Sequence, residues 1–199
     1  MGNLFVNTAI KIFFLLTPFF VMSVFLSMTR DMTSAVRRRI AIRTTIAIFV
    51  TAMILFYFGN IIFKLFGITI ESFQIGAGAL LFLSAVALVQ SQKLPTPTES
   101  EDISVVPLAL PLTVGPGTTG TLLVMGAEIV SPTAKTVAAC GVLLAVLAVG
   151  ILLLLAAGIE KKLGEKGINV LTKLTGLVLA AMAAQLVFTG INHFLYRTP

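Results

Sequence analysis

The chain has 199 residues, 57% of them apolar and 11% charged, with a formal net charge of +6 and a mean hydropathy of +1.05. Soluble domains carry roughly a quarter charged residues, so this balance excludes a water-soluble globular protein and points to the bilayer. The single cysteine, Cys140, excludes an internal disulfide, and basic residues confined to short loops read as a topology signal, with no nucleic-acid partner implied.

The first apolar stretch, roughly 4–28, is long enough to cross about 30 Å of hydrocarbon at about 1.5 Å per residue. It lacks the basic start of a signal peptide and is followed by further spans, so it is expected to be retained. Thr17–Pro18 falls near its middle and marks a break. Lys11 lies in its outer half, where snorkelling to the interface is expected. The loop that follows, "TRDMTSAVRRRIAIR", carries Arg30, Arg37, Arg38, Arg39 and Arg43.

The second and third stretches fall at roughly 40–62 and 68–90, separated by a short connection with Lys64. A hydrophilic segment, "SQKLPTPTESEDIS", follows at 91–104 and is the longest in the chain, too short for a soluble domain. The fourth stretch, roughly 104–129, holds "PLALPLTVGPG", in which Gly115–Pro116–Gly117 interrupts the apolar run near its centre. The fifth, roughly 136–158, ends in the basic connection "EKKLGEKGINVLTK" with Lys161, Lys162, Lys166 and Lys173. The sixth, roughly 168–194, repeats small residues at Gly176, Ala180 and Ala184, a ridge that lets membrane helices pack closely. Basic residues thus crowd alternate connections, which stay cytoplasmic, and both termini are expected to face outward.

The two halves align. "FFLLTPFFVMSVFL" (13–26) overlays "PLTVGPGTTGTLLV" (111–124) with Pro18 opposite Pro116, and "GITIESFQIG" (67–76) overlays "GINVLTKLTG" (167–176). Three spans per half is an odd number, so the second half must enter the membrane from the opposite side. The expected fold is an all-α membrane protein of six transmembrane helices, built as two inverted-topology three-helix repeats with helices 1 and 4 broken. It is one transmembrane domain, with repeat one at about 4–90, a cytoplasmic linker at about 91–104 and repeat two at about 105–196.

Proline removes a helical hydrogen bond, and in hydrocarbon an unsatisfied backbone group costs several kcal/mol. A break must therefore be buried in protein or line a cavity. Each helix beginning after a break offers free amides and about half a positive charge, and each helix ending there offers carbonyls. Such ends suit the two charges of a small zwitterion. The expected substrate-binding residues are Thr17, Pro18, Thr113, Gly115, Pro116, Gly117, Thr118 and Thr119, acting largely through backbone and hydroxyl groups. Thr121 adds a further hydroxyl. No acidic residue falls near a span centre, Glu71 and Glu128 being at span ends, so neither a metal site nor a carboxylate proton relay has a candidate. Gln74, Gln90, Gln185, Asn60 and Asn192 lie near span ends, where polar residues usually meet headgroups or other helices. No catalytic set is present, so an enzyme is not expected.

"VPLALPLTVGPG" (106–117), "FGITIESFQIGAG" (66–78) and "GINVLTKLTGLVLA" (167–180) resemble the MarC family of bacterial and archaeal inner-membrane proteins, over essentially the whole chain. Pro107, Leu108, Ala109, Pro111, Gly115, Pro116 and Gly117 complete the most specific block. The family's Asn-Pro-x-Gly reads Thr17, Pro18, Phe19 and Phe20 here, and its Phe-Arg-Ile reads Phe73, Gln74 and Ile75. The resemblance implies a multi-pass protein of the bacterial inner (plasma) membrane. Some members are described as carriers of alanine, glycine or serine. The expected function is secondary transport of small neutral amino acids by alternating access around the paired breaks. Coupling to Na+ or H+ and facilitated diffusion stand as alternatives, with no cofactor. An exporter of another small solute and a non-transporting membrane scaffold are the rival readings, and the sequence leaves the oligomeric state open.

Overall fold

The computed structural model describes residues 1–90 and 113–196. The linker expected at 91–104, the Pro107–Pro111 part of the proline-rich block and Arg197 lie outside them. The described residues form six helices: α1 (Gly2–Leu15), α2 (Pro18–Met28), α3 (Ser34–Phe66), α4 (Ile70–Val89), α5 (Pro116–Glu128) and α6 (Pro132–Leu195). Helices α3, α4 and α6 are each long and apolar enough to cross a membrane, and α1 with α2 makes a further span bent by 41°.

That bend sits at Thr17–Pro18. Proline cannot donate, so α1 closes with Leu16 N–H on the Ile12 carbonyl at 2.9 Å and Thr17 N–H on the Phe14 carbonyl at 3.0 Å. Thr17 takes a left-handed conformation, φ 46° and ψ 56°, and Pro18 opens α2 at its first position, where a missing N–H costs nothing. In the second half, Gly115 caps α5 and Pro116 again occupies the first position.

Helix α6 differs from the sequence expectation. A loop was expected between the fifth and sixth stretches; the connection is instead a sharp kink at Gly164, at φ 66° and ψ 169°, where two helical arms meet directly. The Glu, Lys and Leu residues there are good helix formers, so only the glycine leaves the helical region. A straight helix over the 64 residues of α6 would reach about 96 Å, three times the hydrocarbon thickness. Instead the chain reverses. Gly141 on the first arm (132–163) abuts Phe5 and Thr8, while Gly190 on the second arm (165–195) abuts Glu71 and Gln74.

The bundle has two distinct ends. At one, Val21, Phe25, Ala41, Leu153 and Ile168 join α2, α3 and both arms of α6. Arg30 in the α2–α3 connection, the lysines around Gly164, and Arg37, Arg38, Arg39 and Arg43, which were expected in a loop but lie in the first turns of α3, belong to this end. Arg37 Nη2 donates to the Thr29 carbonyl at 2.9 Å and so closes the last turn of α2. At the other end, Phe63, Leu123, Val124 and Ala127 pack α3 on α5. The main core between them includes Leu15, Leu16, Ile48, Leu81, Val114 and Val142.

Helix α5 is the most enclosed element, and small residues allow it. It runs antiparallel to α3: a Cβ at Gly59 would strike the Leu123 carbonyl, and one at Gly126 would strike the Phe56 carbonyl. On α4, a Cβ at Gly117 would come within 2.5 Å of Leu81 Cδ1, and one at Gly120 would strike Ala77. Gly126→Ala therefore forces backbone apart, where Gly158→Ala meets open space. We expect the first to cost about 1–3 kcal/mol and lower the melting temperature of the detergent-purified protein, and the second to leave it unchanged. Thermal denaturation read by size-exclusion chromatography checks both.

Candidate functional site

The break between α1 and α2 meets the start of α5; the residues before 113, where the first half of a broken fourth helix was expected, lie outside the described ones. Thr118, in the first turn of α5, donates its hydroxyl to the Leu15 carbonyl at 2.8 Å, at the end of α1. Proline at position 18 and the turn at Thr17 divert the chain, so the carbonyl at the end of α1 is met by a side chain from the other half. Thr118 is 3% exposed, so the bond is shielded from lipid and water alike. It also brings the negative end of one helix dipole against the positive start of another. Thr121 donates to the Gly117 carbonyl at 2.9 Å, and Thr119 N–H to Gly115 at 2.9 Å, which fixes the first turn of α5.

Among the eight residues expected at the site, Thr113, Pro18, Gly117 and Thr118 are buried, and Thr17, Gly115 and Thr119 are half-buried. Pro116 is exposed. Gly117 is held against Leu81, so its missing Cβ serves helix packing. The Thr17 hydroxyl is buried without a hydrogen-bond partner.

A cavity of about 630 Å³ adjoins this junction. Asn7, Ile10, Lys11 and Phe14 line it from α1, Gln74 from α4, Thr121, Val124, Met125 and Glu128 from α5, and Gln185 with Thr189 from the second arm of α6. It reaches from the last turn of α5 to Thr121, three residues from the Thr118 bond, and to Phe14, next to Leu15. None of the eight expected residues lines it. Its volume falls within the roughly 300–1,000 Å³ of small-molecule sites.

Two charges that sequence reasoning set aside lie here. Lys11, expected to snorkel, is on the cavity wall, and Glu128, expected at a span end, faces the same space. The two interact electrostatically. Gln74 Nε2 donates to Glu128 Oε1 at 2.6 Å and fixes the carboxylate, while Gln74 itself is 2% exposed. Gln74 also stands where the family resemblance leads one to expect arginine. Lys135 Nζ donates to the Gly126 carbonyl at 3.0 Å and lies 5.6 Å from the Tyr57 ring centre, stabilising the carbonyl end of α5. A sequence signal for the cavity did exist: Asn7, Lys11 and Phe14 share one face of α1, and Gln185 with Thr189 share one of α6. Among the described residues, no three His, Cys, Asp or Glu side chains gather as a metal site.

A polytopic all-α bundle with a proline break buried at its centre and a polar cavity beside it is the class these features define. A family model described as "MarC family integral membrane protein" matches residues 2–195, and the chain belongs to that family. It is 28% identical to a "UPF0056 membrane protein" of Aquifex aeolicus over 98% of this chain and 95% of that protein. It is 31% identical to a Methanocaldococcus jannaschii protein of the same description over 92% of this chain and 93% of that one. The UPF0056 membrane protein YhcE of Escherichia coli is also 31% identical, over 92% of this chain and 89% of its own. No solved structure matches the chain.

Thr118→Val keeps the shape and removes the hydroxyl, leaving the Leu15 carbonyl buried and orphaned. We expect a loss of about 1–3 kcal/mol, against little change for Thr118→Ser, in melting temperatures measured side by side. Thr17→Asn should act in the opposite direction. A β-branched residue with positive φ is strained, and asparagine tolerates that region, so a gain of about 1 kcal/mol is expected. Equal or lower stability in that variant would contradict the strain argument.

Proposed function

We propose that the protein is a secondary carrier of small neutral amino acids, of the alanine, glycine or serine kind, working by alternating access around the paired helix breaks. The observation that carries this reading is the Thr118–Leu15 bond, which joins the α1 break to the start of α5 next to a cavity lined by residues of both halves. The antiparallel run of α5 against α1 supports an inverted three-helix repeat, the architecture in which one half rocks against the other. Helix α1 runs from the cavity to the junction, and α5 runs from the junction back along the cavity, ending at Glu128.

In this reading Thr17, Pro18, Thr113, Gly115, Pro116, Gly117, Thr118 and Thr119 form the moving junction at the inner limit of the cavity. Opening the Leu15 contact frees a carbonyl, the Thr118 hydroxyl and the first-turn amides of α5 for a passing zwitterion. The basic end of the bundle faces the cytoplasm in the inner (plasma) membrane. The cavity, at the same end as both termini, then opens outward. No chemistry is performed on the substrate.

Counterflow in proteoliposomes tests the reading. Vesicles preloaded with unlabelled L-alanine should accumulate labelled L-alanine several-fold above empty vesicles, with and without sodium and pH gradients. Labelled alanine that equilibrates no faster than in protein-free vesicles sinks the amino-acid reading, and success with a different solute replaces it with an exporter of that solute.

A further inference from the structure

The cavity beside the junction has a charge pattern that the helix breaks alone do not supply. One cation, Lys11, and one anion, Glu128, line it on different helices, so its formal charge cancels. Glu128 is held in place by Gln74 Nε2 at 2.6 Å. That bond uses one end of the amide only. The other end, Gln74 Oε1, is buried with no hydrogen-bond partner, on a side chain that is 2% exposed and lines the cavity. An orphaned buried acceptor is costly unless something arrives to donate to it.

The carboxylate and the amide oxygen are both acceptors on neighbouring groups, and an ammonium carries three donors. A simple cation would satisfy them but would face Lys11, and a simple anion would face Glu128. A ligand carrying both charges can set itself between Lys11 and Glu128, which otherwise act on each other, and match both groups at once. Ile10, Phe14, Val124, Met125 and Met182 supply an apolar wall for the rest of such a molecule. From this we infer that the cavity between α1, α4, α5 and the second arm of α6 is a recognition site for an α-amino acid zwitterion. Lys11 takes the carboxylate, and Glu128 with Gln74 Oε1 takes the ammonium. The inference deepens the carrier reading and rests on it for its purpose. It also moves recognition from the breaks themselves to the charged wall beside them, leaving the breaks as the gate.

Binding to the purified full-length protein, read as a concentration-dependent rise in melting temperature at neutral pH, tests the site without transport. Glycine, L-alanine and L-leucine are the zwitterions. L-alaninamide lacks the carboxylate, and propionate lacks the ammonium. The unaltered protein should respond to at least one zwitterion and bind alaninamide and propionate at least tenfold more weakly. Lys11→Met should weaken zwitterion binding tenfold or more and remove the preference over alaninamide. Glu128→Gln should weaken it equally and remove the preference over propionate. Lys11→Arg and Glu128→Asp should retain zwitterion selection. A protein that responds to no zwitterion, or to all five compounds alike, overturns the inference, as do neutralised variants that keep the original discrimination. The analogue series on the unaltered protein decides even where a variant fails to fold. Alanine counterflow that survives both neutralising substitutions leaves the carrier and removes this site. Selective binding without counterflow leaves the site and removes the carrier.

Discussion

A buried backbone carbonyl freed by the bend at Thr17–Pro18 must find a donor, and in this chain the donor comes from the other half of the molecule. Lipid offers none, and water at that depth needs a cavity. Thr118 reaching Leu15 satisfies the requirement at 2.8 Å. The rest of the arrangement follows from holding those two residues together. Helix α5 must begin where α1 ends, it must run back beside α1, and its first turn must approach α4 and its last turn α3. The glycines at 59, 117, 120 and 126 are placed at those approaches, where a single carbon would meet a neighbour's backbone or side chain.

The cavity is the complement of that packing. Where α5 is drawn against α3 and α4 through glycines, the space between α1, the far part of α5 and the second arm of α6 is left unfilled. Polar side chains line it: Asn7, Lys11, Gln74, Glu128, Gln185 and Thr189. The family's membership and the bundle's apolar surface make this a multi-pass membrane protein. The charged wall sets it apart from an apolar packing gap: Lys11 and Glu128 face the same space and act on each other across it.

The helix starts at Pro18 and Pro116 were legible because proline and glycine act through local covalent geometry. Thr17–Pro18 and Gly115–Pro116 mark helix starts at the positions their chemistry dictates, and no tertiary information is needed to see it. The spans were legible for the same kind of reason, since hydropathy and length are local. Gly164 was not read as a lone pivot, because helix propensity through the charged connection competes with loop composition and prevailed. The roles of Lys11, Gln74 and Glu128 were hidden for a different reason. They lie 54 to 117 residues apart, on three helices, and nothing in their local sequence states that they share a wall. Each taken singly has a bland interpretation at a span end.

Helix α5 links the two features through its own rigidity. Thr118 at its start holds the junction, and Glu128 at its end faces the cavity mouth. Ten helical residues separate them by about 15 Å. A helix of that length transmits displacement with little bending, so on the carrier reading a ligand that pulls on Glu128 would also load the Thr118–Leu15 bond. A carrier built on this plan would convert recognition at one end of a short helix into release of a hydrogen bond at the other, without any charged side chain crossing the bilayer's centre.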